Sequence, residues 1–229
     1  MPKVKDGYFE DKKNAILDVA EKICMEKPLN KVTMKDIIDA TGLSPGAVYA
    51  SFSDIDEVFV ALLNRISFAA DYMSDVERIL QENTSPEGKI DALIRYMIKQ
   101  ITMSSGYYGK LVSELSYVFV AIKGKERREK YRQSIKTTHI SDYVNAAYVQ
   151  IVEENVANGY FEPLVSKESI YAMGAAITDG LIRNLTFVKH YKYANLPMGI
   201  TFEEDDLPKA VADSIIFLLN PKGGLSEHG

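Results

Sequence analysis

Apolar residues recur at intervals of three and four along nearly the whole chain, and no stretch alternates apolar with polar residues long enough to suggest a strand. Ile16, Val19, Ala20 and Ile23 mark one helical face. Thr33 opens a second helix as N-cap, with Asp36 three residues on as a short capping box and Met34, Ile37 and Ile38 turned inward. Gly42 ends that helix. Ser44 caps a third, Pro45 takes its first position, and the run continues to about Phe52. Ser53 is expected to cap one long helix carrying Phe59, Leu62, Leu63, Ile66, Met73 and Val76, long enough to reach from the hairpin into the rest of the chain. Ser85-Pro86 starts another, with Ile90, Leu93, Ile94, Met97 and Ile101 at helical spacing, and Gly106 and Gly109 mark a break before 111–122. A helix through Val144, Ala147, Ile151 and Val152 stops near Asn158-Gly159. The last two helices span about 168–190 and 207–219, separated by a loop over 191–206. The pattern predicts an all-α fold.

Charge changes this picture little. The chain of 229 residues has a net charge of −5, and residues 1–52 hold eight lysines against eight acids. A neutral segment is a weak electrostatic footprint for nucleic acid. The mixed run Lys123–Lys130 reads as a solvated helix start or loop, since Glu126 and Glu129 sit among its bases. No window approaches the uninterrupted apolar length of a membrane span, and the polar N-terminus does not resemble a secretory signal. One cysteine, Cys24, fits a reducing compartment, so a cytoplasmic location is expected.

Enzyme chemistry finds no support in the motifs. There is no phosphate-cradling glycine loop, no nucleophile elbow and no metal-ligand spacing among three histidines and one cysteine. Cys24 lies on an apolar helix face, where packing explains it better than nucleophilic chemistry. His139 reads as a surface or satisfied histidine. Neither a catalytic residue, a metal nor a cofactor is expected.

Residues 33–52, TMKDIIDATGLSPGAVYASF, carry the information. Two short helices joined by a glycine-containing turn form a helix-turn-helix. The second begins with Ser44, Pro45, Gly46 and Ala47, side chains small enough to let the backbone press against a duplex. Its N-terminus offers free N–H groups and a positive dipole to phosphate. Tyr49 follows on the outer side, placed for a phosphate or a thymine methyl, while Val48 and Phe52 turn inward.

The stretch 16–63 resembles the DNA-binding domain of the TetR family of transcriptional regulators. The likeness rests on the Ile-Leu-x-x-Ala opening, Thr33, Ala40-Thr41-Gly42-Leu43-Ser44 and above all Gly46-Ala47-Val48-Tyr49-x-x-Phe52. Weaker similarity reaches the end, through 151–161 and the Asp179-Gly180-Leu181 region. The resemblance implies that Thr33, Lys35, Ser44 and Tyr49 hold phosphates and that Pro45, Gly46 and Ala47 face the major-groove edges. Ser51 stands where the family often has histidine or tyrosine, and Ile55 stands between two aspartates where it often has lysine. Lys12, Lys13 and Lys31 are candidates to compensate, though each reads first as solvated surface. The implied organisation is a helix-turn-helix domain over 1–53 and a helical ligand-binding and dimerisation domain over 54–229. The implied function is a repressor, released from a palindromic operator by a small effector. The alternative is a ligand-independent DNA-binding or adaptor protein with the same fold.

The helix at 168–190 is apolar nearly all round, so it needs cover on two sides. Ile170, Met173, Gly174, Ile177 and Leu181, with Val211, Ile215 and Leu218 on the last helix, are the candidate seam of a homodimeric four-helix bundle. Met73, Tyr96, Met97, Tyr107, Tyr117, Tyr143 and Arg183 are the candidate ligand lining, although Asp179 and Arg183 also have the spacing of an intrahelical ion pair. Such a lining would suit a flat or greasy molecule.

Overall fold

A computed structural model describes residues 8–68, 71–103, 109–111, 114–115, 125–136, 140–191 and 206–222. Ten helices account for most of them, as the apolar spacing predicts. They fall into two compact units, one made of 1–69 with 105–137 and the other of 70–104 with 138–229. The unit around the hairpin therefore takes in more chain than residues 1–53.

In the first unit α1 spans Tyr8–Glu26, α2 Met34–Thr41, α3 Pro45–Tyr49, α4 Ile55–Phe68 and α7 Lys125–Ser134. Ile16 and Ala20 of α1, Ile37 of α2, Val48 of α3, Phe52 and Leu62 are shielded from solvent. Each large side chain so removed from water contributes about 1.5–3 kcal/mol. Thr33 and Asp36 complete the capping box that starts α2: the Asp36 N–H donates to Thr33 Oγ1, and the Thr33 N–H donates to Asp36 Oδ2 at 2.9 Å. Gly42 ends α2 at φ +67°, the left-handed conformation in which a side chain would be strained.

The cap of α4 is Asp54 rather than Ser53. Asp54 Oδ1 accepts from the Glu57 N–H at 2.9 Å, and Glu57 reaches back to the Ser53 N–H at 2.8 Å. A carboxylate here also complements the positive end of the helix dipole. Nor does the expected long helix run through. It ends at Phe68, and α5, Tyr72–Glu82, starts afresh under Asp71, whose side chain accepts from the Ser74 N–H at 3.1 Å.

The second unit holds α5, α6 (Pro86–Met103), α8 (Ile140–Ala157), α9 (Lys167–Tyr191) and α10 (Asp206–Leu219). α6 packs on each of the other four. Ile90, Leu93 and Ile98 of α6, Val144 and Val152 of α8, Ile170 of α9 and Leu219 of α10 are buried core. Gly159, at φ +76°, turns the chain after α8. The segment behind it then pairs with the end of α10: Leu164 donates to the Leu218 carbonyl at 2.9 Å and Lys222 to that of Tyr160 at 2.8 Å. α9 and α10 lie close because Gly174 has no side chain; a Cβ there would stand 3.1 Å from Ile215 Cδ1.

Candidate nucleic-acid interface

The hairpin is built from local chemistry. Ser44 Oγ accepts from the Ala47 N–H at 3.3 Å, Pro45 occupies the first position of α3, and Val48 and Phe52 anchor the other side in the core. Pro45, Gly46 and Tyr49 are left exposed on the opposite face, with Ala47 half-buried; Tyr49 presents half of its surface to solvent, 50%. Added bulk would meet no protein atom at Gly46, since nothing lies within 4 Å of a Cβ built there. The first turn of α3 is thus a small-residue surface with helix N–H groups, followed one turn on by an aromatic side chain. Such a surface can enter a groove and bind phosphate at its edge.

Thr33 and Ser44 both face solvent while serving as caps. Ser51 is half-buried and returns its hydroxyl to the Ala47 carbonyl at 3.4 Å. Lys35 extends into solvent but pairs with Asp39 at 2.5 Å, which raises its pKa. Lys27 pairs with Asp36 at 2.6 Å, and together with Thr33 holds that carboxyl at about 2. Lys13 sits over the Phe52 ring, 5.3 Å from its centre. Cys24 is buried, and burial pushes its thiol up to about 12, which removes it as a nucleophile at neutral pH.

Tyr107 and Tyr117 lie outside the described residues. Met73, expected to turn inward, is 52% exposed, because α5 restarts at Asp71 and buries Tyr72, Val76 and Ile79 instead. Met97 is buried, and Tyr143 and Arg183 are half-buried. Tyr96 donates its hydroxyl to Asp75 Oδ2 at 2.6 Å. Sequence reasoning missed Tyr148, whose hydroxyl is buried with no hydrogen-bond partner among the described residues; burial pushes it up to about 12. Its ring meets Tyr171 edge-on at 5.6 Å.

The seam candidates divide in two. Ile170, Gly174, Leu181, Val211 and Ile215 are buried within the single chain, whereas Met173 and Leu218 are half-buried and Ile177 is 39% exposed. Phe217, which the sequence did not single out, is 56% exposed on α10.

Helices throughout the described residues, with a capped, outward-facing helix-turn-helix near the N-terminal end, give the architecture of a DNA-binding regulator. Residues 16–62 match the family described as bacterial regulatory proteins, tetR family. The HTH-type transcriptional regulator YfiR of Bacillus subtilis is 21% identical over 193 residues, covering 83% of this chain and 88% of that one. The HTH-type transcriptional repressor KstR2 of Mycolicibacterium smegmatis is 22% identical over 167 residues, covering 70% and 72%. Among solved structures, the fatty acid degradation regulator FadR of Bacillus halodurans superposes with a TM-score of 0.55 over 94% of this chain and 96% of its own, at 18% identity. Over residues 16–62 the chain matches the tetR family, and along most of its length it is similar to helix-turn-helix transcriptional regulators. Among the described residues no helix is long and apolar enough to cross a membrane, and no cluster of histidine, cysteine or carboxylates could hold a metal.

Proposed function

We propose that the protein is a homodimeric repressor that grips palindromic operator DNA with two copies of α3 and is released by a small hydrophobic or aromatic effector. The observation that carries this reading is the first turn of α3: small, exposed, capped by Ser44 and backed by buried Val48 and Phe52, with Tyr49 free to reach the duplex. In this reading Pro45, Gly46 and Ala47 approach base edges, while Thr33, Ser44 and Tyr49 hold the backbone. Lys35 serves the phosphates only by leaving Asp39, so it adds less than a free lysine.

The effector half of the reading is supported by apolar and aromatic side chains of the second unit, Met97 buried and Tyr96 half-buried among them. The Tyr148 hydroxyl, buried without a hydrogen-bond partner among the described residues, would serve as a polar handle for a bound molecule, since a buried hydroxyl left without a hydrogen bond is costly. A relative named as a repressor and a neighbour titled a fatty acid degradation regulator fit an acyl or similarly greasy ligand.

Fluorescence anisotropy on genomic fragments that carry palindromes tests the DNA half. Affinity should fall steeply with salt despite the net charge of −5. Tyr49→Ala should weaken operator binding by roughly 1–3 kcal/mol with the melting temperature unchanged. A lack of salt-sensitive, sequence-specific binding would overturn the reading. A thermal-shift screen of fatty acyl compounds, dyes and drugs tests the effector half. A true effector must also release DNA, and DNA must weaken the effector by the same factor. Hits that stabilise the protein and leave the operator bound would favour ligand-independent regulation.

A further inference from the structure

A buried charge sits against the root of the hairpin. Lys110 keeps only 1% of its side chain exposed, and Leu111 and Leu115, close to it in sequence, are buried as well. Its ammonium donates to the carbonyls of Cys24 and Lys27 at 2.5 and 2.6 Å, and Glu114, one turn on, accepts from the Leu29 N–H. Three backbone groups of the short stretch 24–29 are thus tied to one pair of side chains more than 80 residues away. Desolvating an ammonium is expensive, and a buried ion pair is often no more stable than apolar side chains of the same volume. Apolar packing would fill this space without fixing a direction. Directed bonds fix it.

We propose that Lys110 and Glu114 are positioning residues for operator reading: they lock the turn between α1 and α2, and through it set where α3 meets the groove. The proposal rests on the hairpin reading and names what holds that hairpin in place.

The turn carries the hairpin by a short route. Within it the Lys31 N–H donates to the Pro28 carbonyl at 2.9 Å and the Val32 N–H to that of Leu29 at 3.1 Å, with Leu29 and Val32 buried. Thr33 follows at once as the cap of α2. Lys27, whose carbonyl Lys110 holds, sends its own side chain to Asp36 at 2.6 Å, and Asp36 completes the capping box with Thr33. One bonded path therefore runs from Lys110 through Lys27 and Asp36 to the first turn of α2.

Beyond that point the hairpin moves as one piece. Bonds spanning two or three residues join Thr41 to Ile38 and to Leu43, and Ser44 to Ala47. The eight residues of α2 make a lever about 12 Å long. A tilt of about 10° at the turn shifts its far end by about 2 Å, against a tolerance of about 0.5 Å for a recognition site. Lys110 is too deeply enclosed to touch a duplex itself, so its loss has a signature that no phosphate contact shares: base reading suffers and counterion release does not.

The test compares the full-length wild type with Lys110→Met and with the double variant Lys110→Met, Glu114→Gln. Anisotropy is read across salt on a palindromic duplex that the wild type selects from genomic fragments, and on a scrambled duplex of the same length. Stoichiometric titration counts the molecules competent to bind, so that unfolded protein does not pass for weak binding. Competent molecules of both variants should bind the palindrome ten- to thirtyfold more weakly. Their affinity for the scrambled duplex, and its slope against log salt, should match the wild type. The second substitution should restore melting temperature and restore no selectivity. Ile98→Ala, a cavity in the core of the second unit, lowers the melting temperature away from the turn and should keep the wild-type ratio of palindrome to scrambled affinity. Lys27→Gln, at a half-exposed site that tolerates change, should lose selectivity several-fold with the scrambled slope unchanged. A scrambled slope shallower by about 0.9 in Lys27→Gln would make that side chain a phosphate contact and overturn the bonded path. Wild-type selectivity in both Lys110 variants, or an equal loss in Ile98→Ala, overturns the positioning role and leaves the hairpin reading intact. A wild type that binds no duplex at all overturns both.

Discussion

Lys110 and Glu114, one helical turn apart, close the C-terminal end of α1 with opposite charges. Lys110 Nζ donates to the carbonyl of Cys24 at 2.5 Å and to that of Lys27 at 2.6 Å, while Glu114 Oε2 accepts from the Leu29 N–H at 2.6 Å. The two side chains also pair with each other at 3.2 Å. The last carbonyls of a helix have no intrahelical donors, and a cation there complements the dipole. With only 1% of its side chain exposed, Lys110 is deeply committed to this role. The pairing joins Lys110 and Glu114 to α1 within the compact unit of the hairpin.

Lys110→Met should therefore destabilise the protein strongly. It takes the Lys110 cation from the Glu114 carboxylate and strips two carbonyls of a donor, a loss of about 3 kcal/mol. For a chain of this size that lowers the melting temperature by roughly 6–12 °C. Adding Glu114→Gln keeps an acceptor for the Leu29 N–H and removes the charge that Lys110 had matched, so the double variant should recover part of the loss. Calorimetry that finds the double variant less stable than Lys110→Met would refute this account.

The Thr33–Asp36 box makes the hairpin sensitive to acid. Lys27, then Thr33, holds the Asp36 carboxyl at about 2, against an ordinary value of 3.8. Because the folded value is the lower one, the carboxylate's contribution is fully present above about pH 4 and is lost as pH falls through about 2. The group is exposed, so solvent screening limits the effect to at most about 1 kcal/mol. Asp36→Asn should flatten the acid side of a plot of melting temperature against pH and change little at pH 7 beyond the loss of the ion pair. An unchanged acid limb would show that other carboxylates govern it.

What the sequence disclosed follows the range of the interactions involved. Thr33 with Asp36, Gly42, and Ser44 with Pro45 are caps and turns made within three or four residues, and each stands where its residue type predicts. The break after Phe68 was hidden because Phe59 through Val76 keep apolar spacing on both sides of it; Asp71, an N-cap residue, was the one local signal. Missing it carried Met73 to the wrong face. Asp54 displaces Ser53 as cap because Glu57 can answer the Ser53 N–H from one turn on, a choice that spacing alone leaves open. Lys110 gives no sign, since the carbonyls it binds lie more than 80 residues away and the spacing puts it in the break after Gly109, which the structure shows as helix over 109–111.

The apolar residues of α9 and α10 separate two kinds of burial, and this gives the test of assembly. Ile170, Gly174 and Ile215 are already enclosed by their own chain, so replacing them strikes the monomer: Gly174→Val would press on Ile215 Cδ1 and lower stability in any oligomeric state. Ile177 and Phe217 keep 39% and 56% of their surfaces in water, a poor arrangement for large apolar groups on long helices unless something covers them. A second copy of the same pair of helices, brought up by a two-fold axis, would supply that cover and would give two hairpins for the two halves of the proposed palindrome. Sedimentation should find the wild type dimeric at micromolar concentration. Ile177→Arg puts an unpaired charge in the seam, and a cost of about 3 kcal/mol there weakens the dimer by roughly a hundredfold. Each freed chain should remain folded, because the arginine reaches water as readily as the isoleucine it replaces. Operator affinity should then fall with dimer population while the effect of Tyr49→Ala on the remaining dimer stays the same. A wild type that sediments as a monomer refutes the two-fold arrangement. Unfolding of Ile177→Arg in place of dissociation would show that Ile177 belongs to the core of its own chain.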